Sequence, residues 1–484
     1  MLFNSVGFAI FAPLTVIVYL IFDKEPGRHK IANIWLLIAS YFYYMCADVR
    51  FGALLFFVTL LTFFAGMGAG DLKRSLPARR AALLCGLIPN IGILFFFKYF
   101  NLLSSLMRSD SAMKIVLPVG ISFYVFQSLT YVIDSYTGKQ APTRDFLKYA
   151  LFVSFFPVLL AGPIERSVNL LPQFEERHTF DYERIRHGLL KMATGYFMKL
   201  VIAARLSIAV DLIYDNYMDV NGFQLLLATL LYAFQIYCDF ASYSSIAVGV
   251  GELMGFKLTE NFRQPFFSKS CAELWRRWHI SLNDWFKNYV YFPLGGSRKG
   301  SVRKYLNIMA VFTLSGMWHG AALHYVIWGM LSGLFQVLGE VLKPLRKRAF
   351  AFLHPDEGIS KKAIDALRVA GTFILFVIAL FFFRADSAGA ALYIIKKVVT
   401  DTGVSQILAT PLSGLGLGVY NLVFLAAAMV MLLIYDIVNE RTGDAVKAIE
   451  GQSTVIRWGI YYLIVIMLIM SASIGAKKFI YFEF

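Results

Sequence analysis

The sequence predicts an all-α integral membrane protein with roughly ten to twelve membrane segments, and three observations predict it. The 484 residues are 58% hydrophobic with a mean hydropathy of +0.62, against about 45–50% apolar for a soluble domain. The excess is gathered into blocks nearly free of charge, at 6–22, 51–69, 81–97, 224–238, 305–323, 371–383, 416–435 and 458–474. Basic residues collect between the blocks. A span needs about 20 apolar residues, so several blocks suffice, and the shorter ones read as tilted, broken or half-spanning.

The basic loops orient the chain. The first apolar run has no positive region before it and no small-residue cleavage site after it, so it reads as a span. It is followed by Asp23, Lys24, Glu25, Arg28 and Lys30. Cytoplasmic loops carry the Lys/Arg excess, which puts this loop inside and Met1 outside. Lys73, Arg74, Arg79 and Arg80 follow two crossings later and fall on the same side.

The net charge of +15 fits loops facing anionic lipid and argues against a nucleic-acid partner. Cys46, Cys85, Cys238 and Cys271 form no CxxC pair and read as small hydrophobes, with neither a disulfide nor a metal site expected. One membrane domain, 1–484, is expected: N-terminal helices over 1–100, a core over 118–330 interrupted by charge, Gly, Pro and Trp, and C-terminal helices and tail over 340–484.

Within that core, Lys257–Lys304 carries ten basic residues against three acidic ones, a balance of +7. It is too polar to span. On a helical wheel over Cys271–Lys287, Trp275, Trp278, Leu282, Trp285 and Phe286 share one face. Arg276, Arg277, Asn283, Asp284 and Lys287 lie opposite, with His279 at the edge of the aromatic face. The pattern predicts one amphipathic helix, interfacial or re-entrant. A membrane-surface anchor with a Trp belt has the same periodicity.

His319 lies in the apolar run Leu306–Gly320. An ionisable group within a span points to function. Its helical neighbours would be Ser315, Gly316 and Leu323, two of them small. They leave room beside the imidazole, or else serve close helix packing around a neutral histidine. A histidine there suits general base catalysis on a hydroxyl attacking a thioester. His279 would position the donor or share the proton transfer. Around it, Trp275, Arg276, Arg277 and Trp278 suit a phosphate-bearing donor such as coenzyme A. Asp134, Asp239, Glu252 and Arg384 read as internally paired charges. No Gly-rich phosphate loop, paired-His metal motif or nucleophilic serine elbow is present.

Trp275–Gly300 (WRRWHISLNDWFKNYVYFPLGGSRKG), followed by SGMWHGAALHYVIWG at 315–329, strongly resembles the membrane-bound O-acyltransferase family, most of all its bacterial alginate O-acetyltransferase branch. The likeness continues in LPVGISFYVFQSLTYVIDSYTG (117–138), AGPIERSVNLLPQF (161–174), QIYCDFASYSSIAVG (235–249), FFFRADSAGAA (381–391) and FIYFEF (479–484). Asp239–Ala247 reads DFASYSSIA where the branch has close to DFSGYSDIA, and Glu483 stands where Gln is usual.

The resemblance implies a ring of helices, with re-entrant or interfacial ones, around a thin central funnel or tunnel. It implies His319 as the catalytic histidine and His279 as the second characteristic polar position. It also implies an acyl group passed outward to a separate extracytoplasmic acetyltransferase that modifies the polysaccharide, and Tyr481 as an acyl relay. The expectation is therefore a multi-pass acetyltransferase of the bacterial inner membrane, using acetyl-CoA or an acyl carrier protein thioester, without a metal, and serving exopolysaccharide O-acetylation. D-alanylation of teichoic acid and peptidoglycan O-acetylation are rival acyl transfers. A transporter would need paired broken helices in two related halves, and the sequence has no such symmetry.

Overall fold

A computed structural model describes residues 1–24, 27–106, 116–350, 358–409, 412–471 and 479. Among the described residues the chain is helical, and extended pairing is confined to one antiparallel bridge between Phe262 and Trp278. Seven helices are long and apolar enough to cross a membrane: Val6–Asp23, Val49–Gly70, Leu76–Phe100, Gly222–Met254, Lys361–Arg384, Val419–Thr442 and Thr454–Ser471. Seven of the eight apolar blocks expected from sequence fall on these helices, and the eighth, 305–323, falls mostly on Ser301–His319, which is not among the seven.

The helices are dressed for lipid. On Val6–Asp23 the inward stripe is Phe8, Phe11, Ala12, Thr15, Val16 and Tyr19, at the spacing of one helical face. The opposite stripe, Val6, Ile10, Leu14, Ile17 and Ile21, is exposed yet wholly apolar, with Val6 at 79%. A water-facing helix would carry polar residues there. Only 11% of the apolar stretch of Thr454–Ser471 is buried, against 72% of that of Gly222–Met254. The first is therefore peripheral, and the second is wrapped by protein.

The chain divides into two compact units. Among the described residues the first contains those of 1–196 and 242–260, and the second those of 197–241 and 261–479. In the first, Val49–Gly70 packs on Ile121–Tyr136 and Leu76–Leu106. The approach is close because Gly66 has no side chain: a Cβ there would meet Tyr131 Cε1 at 2.1 Å. Nearly all of Ile121–Tyr136 is buried, and Asp134 at its end accepts from Arg166 at 3.1 Å.

In the second unit, Ser301–His319 and Leu323–Val341 form a tight helical hairpin. A Cβ on Gly316 would meet the Tyr325 carbonyl oxygen at 2.4 Å, and one on Gly329 the Phe312 carbonyl oxygen at 2.3 Å. The small residue beside His319 thus serves helix–helix contact. The helix also ends at His319, with Gly320 extended at φ −174°. Leu323 therefore begins the next helix and is not a helical neighbour of His319.

The four buried charges expected to pair all do so. Besides Asp134 with Arg166, these are Asp239 with Lys199, Glu252 with His187 and Lys191, and Arg384 with Asp211. The four cysteines are free thiols, and Cys238 is buried.

Candidate functional site

The wheel over Cys271–Lys287 assigns the faces correctly but misses a break. Trp275, Trp278, Leu282, Trp285 and Phe286 are all buried, and Arg276, Asp284 and Lys287 are exposed. The segment is nevertheless two short helices, Cys271–Arg277 and Ile280–Phe286. Between them Trp278 is extended and His279 is left-handed, at φ 43°. Histidine is among the few non-glycine residues enriched in that region.

Distant backbone holds the break. The Arg263 N–H donates to the Arg277 carbonyl at 2.9 Å, and the Ile280 N–H to the Asn261 carbonyl at 3.0 Å. The Asn261 side chain accepts from Ser281 N at 3.1 Å. Asn283 Nδ2 donates to the Trp278 carbonyl at 2.7 Å and to that of His279 at 3.2 Å. These partners replace the bonds that a continuous helix would make.

The turn carries His279 inward. Its ring meets Phe240 edge-on at 4.6 Å between centroids and Trp318 at 5.9 Å. His279 is 2% exposed and lies outside the seven candidate spans. Burial pushes its imidazole down to about 3, because charging a ring that has left water is costly. The ring is therefore neutral at cellular pH.

His319 completes the cluster. It is 4% exposed, and its ring stands edge-on to Trp318 at 4.9 Å, Trp328 at 4.9 Å and Phe383 at 5.3 Å. Trp318 thus touches both imidazoles, drawing into one aromatic cluster two histidines 40 residues apart. Four helices and one turn supply it: Phe240 from Gly222–Met254, His279, Trp318 and His319 from Ser301–His319, Trp328 from Leu323–Val341 and Phe383 from Gly358–Arg384.

Beside Phe240, Asp239 forms a buried ion pair with Lys199, each side chain 4% exposed. Lys199 sits in a π-helical stretch, Phe197–Ala203. Its ammonium lies 4.1 Å from the Phe479 ring centroid.

The residues expected around the donor fare unequally. Trp275 packs on Phe312 at 5.3 Å and Trp328 at 5.8 Å, and Trp278 on Phe376 at 5.0 Å. Both are core aromatics. Arg277 grips Glu440 through two nitrogens, at 2.6 and 3.0 Å, and Glu273 at 2.7 Å, so carboxylates already meet its charge. Arg276 is exposed. Tyr481 lies outside the described residues. Among the described residues, no group of three or more His, Cys, Asp or Glu could hold a metal.

Sequence reasoning passed over Lys199, although a lysine within Phe197–Ala203 breaks an apolar run as His319 does and carries the same functional presumption. It also passed over Glu165 in the AGPIER motif. Glu165 is buried, accepts from Thr259 N and Oγ1, and is pushed up to about 7 by burial.

The family model described as MBOAT, membrane-bound O-acyltransferase family, matches residues 139–382, a stretch that includes both histidines and the Lys199–Asp239 pair. Among curated proteins the chain is 36% identical over 431 residues to one from Pseudomonas syringae pv. tomato named "Probable alginate O-acetylase AlgI", covering 86% of this chain and 79% of that one. A Pseudomonas putida protein of the same name is 34% identical over 442 residues, covering 88% and 87%. A Helicobacter pylori protein named "Peptidoglycan O-acetyltransferase" is 32% identical over 439 residues, covering 84% and 81%. A matched family model over half of the chain and relatives aligned over most of it agree with the seven apolar helices and the buried two-histidine cluster: the chain belongs to the membrane-bound O-acyltransferase family and is a multi-pass membrane O-acyltransferase.

Proposed function

We propose that this enzyme acts in the bacterial inner membrane. It takes an acetyl group from a cytoplasmic thioester, acetyl-CoA or an acetylated carrier protein, and passes it across the bilayer for O-acetylation of an exopolysaccharide of the alginate type. The observation that carries the reading is the two-histidine cluster, in a chain aligned over most of its length with alginate O-acetylases.

In this reading His319 is the general base. It takes the proton of an attacking hydroxyl as that oxygen bonds to the acyl carbon. The C–S bond breaks, and the thiolate leaves with the proton that His319 returns. Such a base typically contributes about 10²–10⁴-fold. His279, neutral through burial, orients the reacting groups by donating or accepting a hydrogen bond, without titrating. Tyr481 is the first acceptor hydroxyl, since a tyrosine can form a covalent acyl intermediate. A separate extracytoplasmic transferase would then move the acetyl group from Tyr481 to the polymer. Arg276, exposed beside the buried Trp275, is a candidate contact for the donor's phosphates.

The test is polymer acetyl content in a deletion strain complemented with variants that accumulate normally in the membrane. His319→Ala and Tyr481→Phe are each expected to reduce it at least about 10²-fold. Near-normal acetylation by His319→Ala would refute the catalytic role, and by Tyr481→Phe the relay. Peptidoglycan is the second acceptor to consider, because the Helicobacter pylori relative bears that name. Base-labile acetate found on purified sacculi, and missing from secreted polysaccharide, would select it.

A further inference from the structure

We infer that Val49–Gly70 and Leu76–Phe100 form a binding site for one anionic phospholipid, with an acyl chain in the groove between the two helices and the headgroup phosphate on Arg74. The site lies wholly within the first compact unit and shares no residue with the histidine cluster. The inference goes beyond the proposed acyl transfer and does not rest on it.

The groove is shaped for a hydrocarbon chain. It encloses about 360 Å³, within the range of about 300–1,000 Å³ typical of ligand pockets. Phe57, Leu60, Leu61 and Phe64 form one wall, at the spacing of one helical face, and Ala82 and Cys85 form the other. Phe57, Leu60 and Phe64 are exposed on a helix long and apolar enough to span, so hydrocarbon and not water meets them. From Phe57 to Gly68 the lining stretch of that helix rises about 17 Å. The hydrocarbon core is about 30 Å thick, so the groove matches one leaflet, the depth that a single acyl chain occupies.

One end of the groove carries charge. Arg74 is the one charged residue in the lining. A Cβ on Gly68 would stand 3.2 Å from Arg74 Nη1 and 2.9 Å from the Ala82 Cβ. The bare glycine therefore lets the guanidinium lie back over the helix end while the second helix stays close. Arg74 Nε is 3.4 Å from Asp71 Oδ2, a long pair, and the arginine side chain is 55% exposed. Its planar fork suits the oxygens of a phosphate.

The surrounding loop selects an anionic headgroup. Over 71–80 there are four cations, Lys73, Arg74, Arg79 and Arg80, against Asp71. Lys73 and Arg80 are exposed. Arg79 donates to the carbonyls of Ala69 at 2.9 Å and Tyr136 at 2.8 Å, which fixes the loop to the helices and leaves the charge in place. A headgroup with a net negative charge gains from this field, whereas choline brings a cation of its own.

The test uses the full-length enzyme in phosphatidylcholine vesicles. A trace of phosphatidylglycerol or of phosphatidylcholine is added, each with the same diazirine-bearing acyl chain, and crosslinks are mapped by mass spectrometry after irradiation. Crosslinks on the outer stripe of Val6–Asp23 report lipid that only surrounds the protein, so the yield in the groove is divided by the yield there. That ratio should be at least about fivefold higher for the phosphatidylglycerol probe, the equivalent of about 1 kcal/mol for one basic residue at an anionic headgroup. Its crosslinks should fall on 57–68 and 82–85. Arg74→Gln, at an exposed position where folding is expected to be intact, should lower the preference about fivefold. Equal ratios for the two probes overturn the inference, because the lipid is then only part of the surrounding bilayer. An Arg74→Gln enzyme that keeps the full preference for phosphatidylglycerol overturns it too, as do crosslinks concentrated on other helices.

Discussion

Gly316→Ala probes how tightly the helical hairpin sets His319. An ideal Cβ at 316 would sit 2.4 Å from the Tyr325 carbonyl oxygen and 3.2 Å from Val326 Cα. Ordinary van der Waals contact begins at 3.4 Å, so the Leu323–Val341 helix must retreat by about 1 Å, the difference between those distances. The obstacle is backbone, which cannot rotate aside as a flexible side chain would. Overpacking of this kind costs about 1–3 kcal/mol. His319 is one turn further along the same helix, with its ring on Trp328 of the helix displaced. A misplacement of about 1 Å costs about 10²-fold in a preorganised site. The expected result is kcat down about 10²-fold, in a protein that still elutes as a single species with a modestly lowered Tm. Gly339→Ala is the control on the partner helix. A Cβ there meets nothing within 4 Å, so activity should be unchanged and stability equal or raised by about 0.5–1 kcal/mol. Full activity in a folded Gly316→Ala enzyme would refute the claim that this close approach positions His319.

Two further predictions concern the His279 segment. The His279 imidazole is held near 3 in the folded protein against about 6.5 unfolded, so between those values the unfolded chain binds the extra proton. Its stabilising contribution is full above pH 6.5 and is lost as pH falls towards 3, at up to tenfold in the folding constant per pH unit. His279→Asn should flatten the acid limb of a thermal-melt series in detergent by that amount, and an unaltered slope would contradict the buried neutral ring. Ser297 is exposed in the +7 segment, so Ser297→Cys with the four native cysteines replaced should react with an impermeant thiol reagent only after the cells are opened. Labelling of intact cells would reverse the proposed direction of transfer.

Much of the molecule was legible before any coordinates. Apolar blocks forecast helices in lipid, because a membrane span has to satisfy its backbone internally and present apolar side chains outward. Val6–Asp23 does both. Buried charges at 134, 239, 252 and 384 announced partners, since an unpaired charge there is too costly. His319 stood out for the same reason. The sides of the Cys271–Lys287 wheel were also readable, because burial follows the local pattern even across a break in the helix.

Only the tertiary structure decided the rest, and the reason in each case is a partner distant in the chain. The turn at Trp278–His279 exists because Asn261 and Arg263 take the backbone bonds that a helix would make, and helical periodicity carries no trace of them. The pairing of Lys199 with Asp239, the placement of Phe479 on that lysine, and the use of Trp318 as a wall shared by both histidines arise from packing between separate helices. The same holds for Gly316. The sequence offers a small residue near a histidine and two meanings for it, space or contact, and the Tyr325 carbonyl at 2.4 Å selects contact.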